Sequence, residues 1–466
     1  MLGIGYKFAT MLSDHYKEHY KRNFFLAYPI MLSQLGQVLV GVADSLMVGR
    51  LGAEHLAAAS LANVIFYVIM VFGLGVSYAI TPLVAAADGA QDQSRITAIF
   101  SNGLVVNTIL GMILAFGVVL CTPVLYHLDQ PAEVVTLAIP YLRIITVSLI
   151  PYMVFQSFRQ FAEGLGNTRQ AMYITLSGNV VNILLNYLLI YGKWGFPELG
   201  LNGAGWATLV SRIFMAILMG LFVYHASRFK PFRRAFSFFH ISGSMIRRIL
   251  KVGVPAGLQF VFEVSAFGFA AIMMGWLGTQ TLAAHQIAIN LASISYMMAT
   301  GIASAATIRV GNQLGRRDMS NLRSAGNTSF VMVVLFMGFA ALLFIGLRNF
   351  FPTLYINDVK VIEIASQLLV VAAFFQISDG LQVVGMGALR GIEDVKVPTV
   401  IAVIAYWVVG LPVGYLLGFR YGLGATGIWY GLLIGLSLAA VLLVCRFQHK
   451  TNRMLSDIDY VSGRRN

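Results

Sequence analysis

Long apolar runs alternate with short polar segments along the whole chain. The runs fall at residues 25–49, 57–83, 97–121, 135–157, 169–192, 204–225, 252–276, 283–308, 325–348, 362–386, 397–418 and 424–446. Each reaches the roughly 20 residues that a helix needs to cross the hydrocarbon core of a bilayer. The pattern predicts an all-α integral membrane fold with twelve transmembrane helices, six on either side of a longer polar stretch from Tyr224 to Lys251. An even number of spans per half gives both halves the same orientation, so any repeat between them is parallel, about an axis along the membrane normal.

Such a repeat is present. Pro29 to Ser60 (PIMLSQLGQVLVGVADSLMVGRLGAEHLAAAS) superposes without a gap on Pro255 to Gln286 (PAGLQFVFEVSAFGFAAIMMGWLGTQTLAAHQ) at an offset of 226 residues. The register holds through Gly49/Gly275, Leu51-Gly52/Leu277-Gly278 and Leu56-Ala57-Ala58/Leu282-Ala283-Ala284 to Thr81/Thr307, Gly89/Gly315 and Asp92/Asp318. Self-similarity over this length predicts two copies of one structural unit. The expected organisation is a leader at 1–24, an N-lobe at 25–226, a linker at 227–250, a C-lobe at 251–447 and a tail at 448–466.

Composition agrees with a polytopic membrane protein. Hydrophobic residues make up 58% and charged residues 11% of the chain, and the mean hydropathy is +0.77. These values exclude an ordinary soluble domain. The net charge of +13 invites a nucleic-acid reading, but its distribution argues against one. With the N-terminus inside, 24 of the 32 Lys and Arg residues fall on cytoplasmic segments, and the outer loops hold only Arg50, Lys193, Arg348, Lys360 and Arg420. The positive-inside rule then places both termini in the cytoplasm. The first 24 residues mix Lys7, Asp14, Lys17, Glu18, Lys21 and Arg22 without an apolar core, which reads as a leader and not as a cleavable signal. Cys121 and Cys445 lie near helix ends on opposite faces, so no disulfide framework is expected. Glycines spaced by four, at 410, 414 and 418 and again at 427, 431 and 435, suit close helix packing. Phosphate-binding loops, HExxH and clustered Cys/His pairs do not occur, and Gly385-Met386-Gly387 sits in an apolar helix with no strand before it. Neither an enzyme nor a resident cofactor is therefore expected.

The candidate chemistry lies within the helices. Asp44, Glu263 and Asp379 are acidic residues deep in apolar runs one, seven and ten, where a charge is costly unless function requires it. At 1.5 Å per residue Glu263 lies about 12 Å from Pro255, near the midplane, and Asp44 about 22 Å from Pro29, towards the outer side. The repeat alone does not account for them, because Gln37 stands opposite Glu263 and Ala270 opposite Asp44. Polar neighbours share their faces at helical spacing: Gln34, Gln37 and Gly41 with Asp44, Gln259 with Glu263, and Phe375, Gln376 and Gln382 with Asp379. Asn179, Asn182 and Asn186 form a stripe on helix five. Such stripes face a water-filled cavity or a partner helix, so each amide is either interhelical glue or a binding group. His285 reads as a packing residue. In a low-dielectric cavity a carboxylate is neutralised either by a proton or by a bound cation. If an organic cation competes for the same carboxylates, the two ligands exclude each other, which is the thermodynamic requirement of antiport. Phe155, Phe260, Phe374, Phe375, Met386 and Trp407 offer an adaptable apolar surface for varied substrates.

VADSLMVGRLG in helix one, NVVNILLNYLLIYG in helix five, FEVSAFGF and LAAHQIAIN in helices seven and eight, IRVGNQLG after helix eight and SDGLQVVGMGALRGIED in helix ten together resemble the multidrug and toxic compound extrusion (MATE) transporters, in particular the bacterial NorM-like branch. The resemblance covers nearly the whole chain. It implies two six-helix lobes in a V and export of drugs coupled to inward sodium or proton movement. It further implies an N-lobe cation and proton site at Asp44, Asn182 and Asn186, with Thr208 nearby, and a C-lobe site with Glu263 and Asp379 as candidate Na+ ligands. Gln34, Gln37, Asn179, Thr208, Gln259, Phe260, Phe375, Gln376, Gln382 and Met386 are the candidate lining of a substrate cavity. Two departures stand out. Phe375 occupies the position one turn before the helix-ten aspartate where some sodium-coupled relatives carry tyrosine, and Asn186 stands where archaeal-type relatives carry aspartate.

The expectation is therefore an antiporter of amphipathic cationic drugs or dyes in a bacterial inner membrane, monomeric, in contact with lipid and without a nucleic-acid partner. A lipid-linked-oligosaccharide flippase of a similar two-lobed fold is the rival. Its anionic pyrophosphate would need a basic cavity, whereas the deep charges here are mainly acidic.

Overall fold

A computed structural model describes residues 14–127, 130–236 and 241–463. Parts of the expected leader, linker and tail lie outside these. Among the described residues twelve helices are long and apolar enough to cross a membrane: α1 (Tyr16–Gly49), α2 (Ala53–Gly89), α3 (Gln93–His127), α4 (Ala132–Gly164), α5 (Thr168–Tyr191), α6 (Leu201–His225), α7 (Gly243–Trp276), α8 (Thr279–Arg316), α9 (Met319–Gly346), α10 (Val359–Gly391), α11 (Lys396–Arg420) and α12 (Gly424–Ser456). Each predicted run falls on one of them, in order, with 169–192 and 325–348 ending one and two residues past their helices.

The helices form two compact units, Leu32–Val261 and the described residues of Met1–Met31 with Phe262–Asn466, called here the N-unit and the C-unit. The division does not follow the linker. It runs through α1 at Met31/Leu32 and through α7 at Val261/Phe262, so each of these long helices serves both units. The first part of α1 is fastened into the C-unit by Asn23, whose amide donates to Ala325 O, Thr328 Oγ1 and Ser329 Oγ on α9 at 3.1, 2.9 and 2.9 Å. The linker, in turn, packs on the N-unit: Phe229 and Phe232 approach Phe161 with centroids at 5.7 and 5.8 Å.

Within each unit the helices follow one plan. The fourth helix is central: α4 packs against α2, α3 and α6, as α10 packs against α8, α9 and α12, while α5 pairs with α6 as α11 pairs with α12. Local detail repeats as well. The α1–α2 and α7–α8 turns pass through Gly52 (φ 129°) and Gly278 (φ 118°), in backbone that only glycine adopts without strain. Asp92 caps α3 by accepting from Arg95 N at 2.9 Å, and Asp318 caps α9 by accepting from Asn321 N at 3.0 Å, each meeting an otherwise unpaired first-turn amide. Thr81 Oγ1 donates to Gln160 O at 3.1 Å, and Thr307 Oγ1 to Gly387 O at 2.8 Å. The duplication read from sequence is thus a duplication of backbone conformation.

The glycine rows of α11 and α12 interlock in the C-unit. A Cβ on Gly431 would lie 2.2 Å from Gly414 N, and one on Gly427 would lie 2.6 Å from Gly418 N. Nothing larger than hydrogen fits at those crossings, as the four-residue spacing predicts.

Candidate functional site

In the N-unit the site is built where α1 meets α5. Gly36 permits the approach, since a Cβ there would come within 2.6 Å of Leu176 and 2.9 Å of Asn179 Nδ2. Tyr191 Oη closes the far end by donating to Met47 O at 2.7 Å. Between these contacts the half-buried Asp44 accepts a short hydrogen bond from Asn186 Nδ2. The same nitrogen lies 3.2 Å from Asn182 Oδ1, the amide one turn earlier on α5. The chain of contacts continues from Asn182 Nδ2 to Ser211 Oγ at 3.5 Å and from Ser211 Oγ to Thr208 O at 2.9 Å on α6. Asp44, Asn182 and Asn186 are therefore brought together, with Ser211 on α6 beside them, whereas the Thr208 hydroxyl donates to Ala204 O at 3.0 Å within its own helix. Gln34 and Gln37 lie earlier on α1, buried and half-buried.

Arg212, a residue that the pattern along the chain does not single out, belongs to the same site. The residue is half-buried, and its guanidinium donates to Ser148 Oγ at 2.8 Å and lies 5.1 Å from the Phe66 centroid and 4.7 Å from that of Tyr152. Asp44 and Tyr141 are both within its electrostatic reach. A guanidinium at this depth needs a countercharge and aromatic faces in place of water. A solitary arginine amid an apolar run was the available signal. Also missed was Glu163, whose Oε1 accepts from Arg159 Nε at 2.7 Å, with side chains only 4% and 6% exposed.

In the C-unit, Glu263 on α7 and Asp379 on α10 are buried, at 4% and 3% exposure, and each lies within electrostatic reach of the other. Tyr296 Oη on α8 donates to Glu263 Oε1 at 3.1 Å. Asp379 has no hydrogen bond or ion pair to any described residue. Gln376 and Gln382 flank it on the same helix, both buried, each amide enclosed without a partner. Phe375 stands edge-on to Phe267 at 6.1 Å and tilted against Trp429 at 5.6 Å. Trp429 Nε1 donates to His285 Nδ1 at 3.2 Å, so His285 holds a helix contact, as expected. Met386 is buried further along α10, whereas Phe374 is exposed.

One sequence-level grouping divides. Gln259 and Glu263 share a stripe of α7, but the unit boundary falls between them. Gln259 and Phe260 belong to the N-unit, where Phe260 packs edge-on against Tyr78 at 5.6 Å. Helical spacing sets the stripe; the neighbouring helices decide which unit holds each residue.

Twelve spans in two matching units, each with a carboxylate set within its helices, are the architecture of a MATE-type transporter. Solved structures agree at the level of fold. The eukaryotic MATE transporter AtDTX14 superposes with a TM-score of 0.85 at 21% identity, covering 96% of this chain and 100% of that one. A MATE protein in complex with MaD5 gives 0.86 at 21%, covering 94% and 97%. The MatE family model matches residues 29–188 and 255–416, one match per repeat. Among sequence relatives, the probable multidrug resistance protein NorM of Rhizobium meliloti (strain 1021) is 35% identical over 92% of this chain and 93% of its own. Its namesake in Pseudomonas putida is 37% identical over 92% and 94%. The chain belongs to the MatE family, as a multi-pass membrane protein of the NorM multidrug transporter group.

Proposed function

We propose that this protein exports amphipathic organic cations across a bacterial inner membrane, both termini cytoplasmic, in exchange for Na+ or H+ moving inward. One observation carries the reading. Two buried carboxylates, Glu263 and Asp379, feel each other's charge, and Asp379 has neither hydrogen bond nor ion pair among the described residues. Such a pair is held in a low-dielectric interior only if mobile positive charge neutralises it in turn. The coupling ion and a cationic substrate then displace one another, and export follows from the gradient. Each unit charge moving inward across about 100 mV supplies about 2.3 kcal/mol, besides any chemical gradient.

The N-unit site plays a different part in this scheme. Asp44, held by Asn186 and within electrostatic reach of Arg212, has a protein cation to offset part of its charge. Asp44 with Asn182 and Asn186 therefore forms the weaker cation site, and Glu263 with Asp379 the stronger.

The test is efflux of an ethidium-like dye from proteoliposomes under imposed sodium or proton gradients. Glu263→Gln and Asp379→Asn are expected to lose gradient-driven efflux while remaining folded by size-exclusion chromatography. Undiminished coupled efflux by both variants would remove the C-unit site from the mechanism.

A further inference from the structure

Arg309, on α8 of the C-unit, is a buried cation that the efflux reading does not use. It is 8% exposed, and its Nη2 donates to His19 Nδ1 on α1 at 3.0 Å. A guanidinium only donates, so that ring nitrogen accepts and carries no proton. The ring's hydrogen then lies on Nε2, which donates to Asn321 Oδ1 on α9 at 3.1 Å. His19 is therefore neutral and brings no negative charge to the guanidinium. Asp318, the next group along, is engaged at the start of α9, where its oxygens accept from Asn321 N at 3.0 Å and Asn321 Nδ2 at 2.6 Å. Arg309 Nε is enclosed without a partner among the described residues.

The surroundings do not supply the missing charge. Arg22 and Arg316 lie within electrostatic reach and repel, while Glu18 attracts but is exposed and paired with Arg22. A buried cation left in this state is costly, and a chain with only packing to satisfy does better with an apolar residue there. Depth indicates what completes it. Helix α8 runs for 38 residues, about 57 Å, against a hydrocarbon core of about 30 Å, so a centred helix projects about 13 Å at either end. Arg309 precedes Arg316, the last residue of the helix, by about 10 Å, which places it in the headgroup layer. The abundant anions of that layer are phosphates, and guanidinium donors match phosphate oxygens in charge and spacing. We propose that Arg309 anchors a binding site for an anionic phosphate group at this end of the C-unit, of the kind an acidic phospholipid headgroup carries, with Arg22 and Arg316 drawing the anion in. In the orientation proposed above this is the cytoplasmic leaflet. The leaflet rests on that reading; the site does not, and its test involves no transport.

The test is native mass spectrometry of purified full-length protein in detergent, with dioleoylphosphatidylglycerol, dioleoylphosphatidylcholine or inorganic phosphate as probe, and thermal unfolding alongside. The wild type is expected to bind phosphatidylglycerol about tenfold more tightly than phosphatidylcholine. Arg309→Gln is expected to lose that preference, as the loss of one charge-assisted hydrogen bond implies. Arg316→Gln removes an exposed charge and should change it by less than about threefold, because solvent screens that position. Arg309→Lys keeps the charge without the fork of donors; it should weaken binding by about threefold, and serves if Arg309→Gln does not fold. Inorganic phosphate that stabilises the wild type and displaces the lipid would support the phosphate site and make its occupant a soluble anion. Neither lipid preference nor a response to phosphate in the wild type would overturn the site. So would unchanged affinity in folded Arg309→Gln, and so would equal losses in Arg309→Gln and Arg316→Gln, which would reduce the effect to diffuse surface charge.

Discussion

Asp44→Asn tests whether the N-unit site is balanced by its own arginine. The substitution keeps the shape of the side chain and removes its charge. Two effects follow from the geometry. The hydrogen bond from Asn186 Nδ2 loses its ionic acceptor, and a charge-assisted bond of this kind contributes about 1.5–3 kcal/mol, roughly twice a neutral one. Arg212 also loses the carboxylate within its reach and keeps Ser148 Oγ, Met70 Sδ and the rings of Phe66 and Tyr152. Breaking a fully buried pair costs about 3–5 kcal/mol. Both residues here are half-buried and the two charges act through space without a direct ion pair, so solvent screening reduces the second effect to at most about 1 kcal/mol. Asp44→Asn should therefore lower the thermal unfolding midpoint. Adding Arg212→Met should raise it again, because the cation left unmatched is removed. The assay is a double-mutant cycle of unfolding midpoints in detergent at fixed lipid content, with dye efflux measured alongside. If the two substitutions are additive, within the about 0.3–0.5 kcal/mol expected of independent sites, Arg212 is not the countercharge of Asp44 and the proposed division of labour between the two sites falls.

Three further outcomes are expected. Glu163→Gln should destabilise the N-unit by about 3–5 kcal/mol, since it leaves a deeply buried Arg159 unpaired; the double variant Arg159→Met, Glu163→Leu should recover most of the loss in thermal unfolding. Gly431→Ala should lower stability by about 1–3 kcal/mol through overpacking against α11, whereas Gly117→Ala, with nothing within 4 Å of the added carbon, should change the midpoint little; equal effects would remove the close-packing argument. In dye efflux, Asp44→Asn should retain substrate binding but lose gradient coupling, and a pH-jump or sodium-jump assay showing normal coupling would exclude this site from the cycle.

The spans and the duplication were legible in the sequence because both are local or linear. An apolar run long enough for a bilayer has little choice but to become a helix. An offset of 226 residues between similar segments carries through to paired turns at Gly52 and Gly278 and paired caps at Asp92 and Asp318. The acids were legible for a related reason: a carboxylate among apolar residues is conspicuous wherever the chain goes. Their partners were not. Arg212 comes within electrostatic reach of Asp44 from α6, and the hydroxyl that donates to Glu263 comes from Tyr296 on α8. Tyr296 is an unremarkable tyrosine in an apolar run, and only its hydrogen bond to Glu263 marks it out.

The primary structure by itself thus determined which segments cross, in what order, that they do so twice, and which side chains are too costly to be passive. Tertiary structure alone decided which helix face meets which, dividing Gln259 from Glu263 within one stripe and bringing Asn186 to Asp44. The reason is physical. Helix formation depends on neighbours a few residues away, whereas convergence of side chains depends on where helices far apart in the chain cross, and small residues such as Gly36 and Gly431 set those crossings.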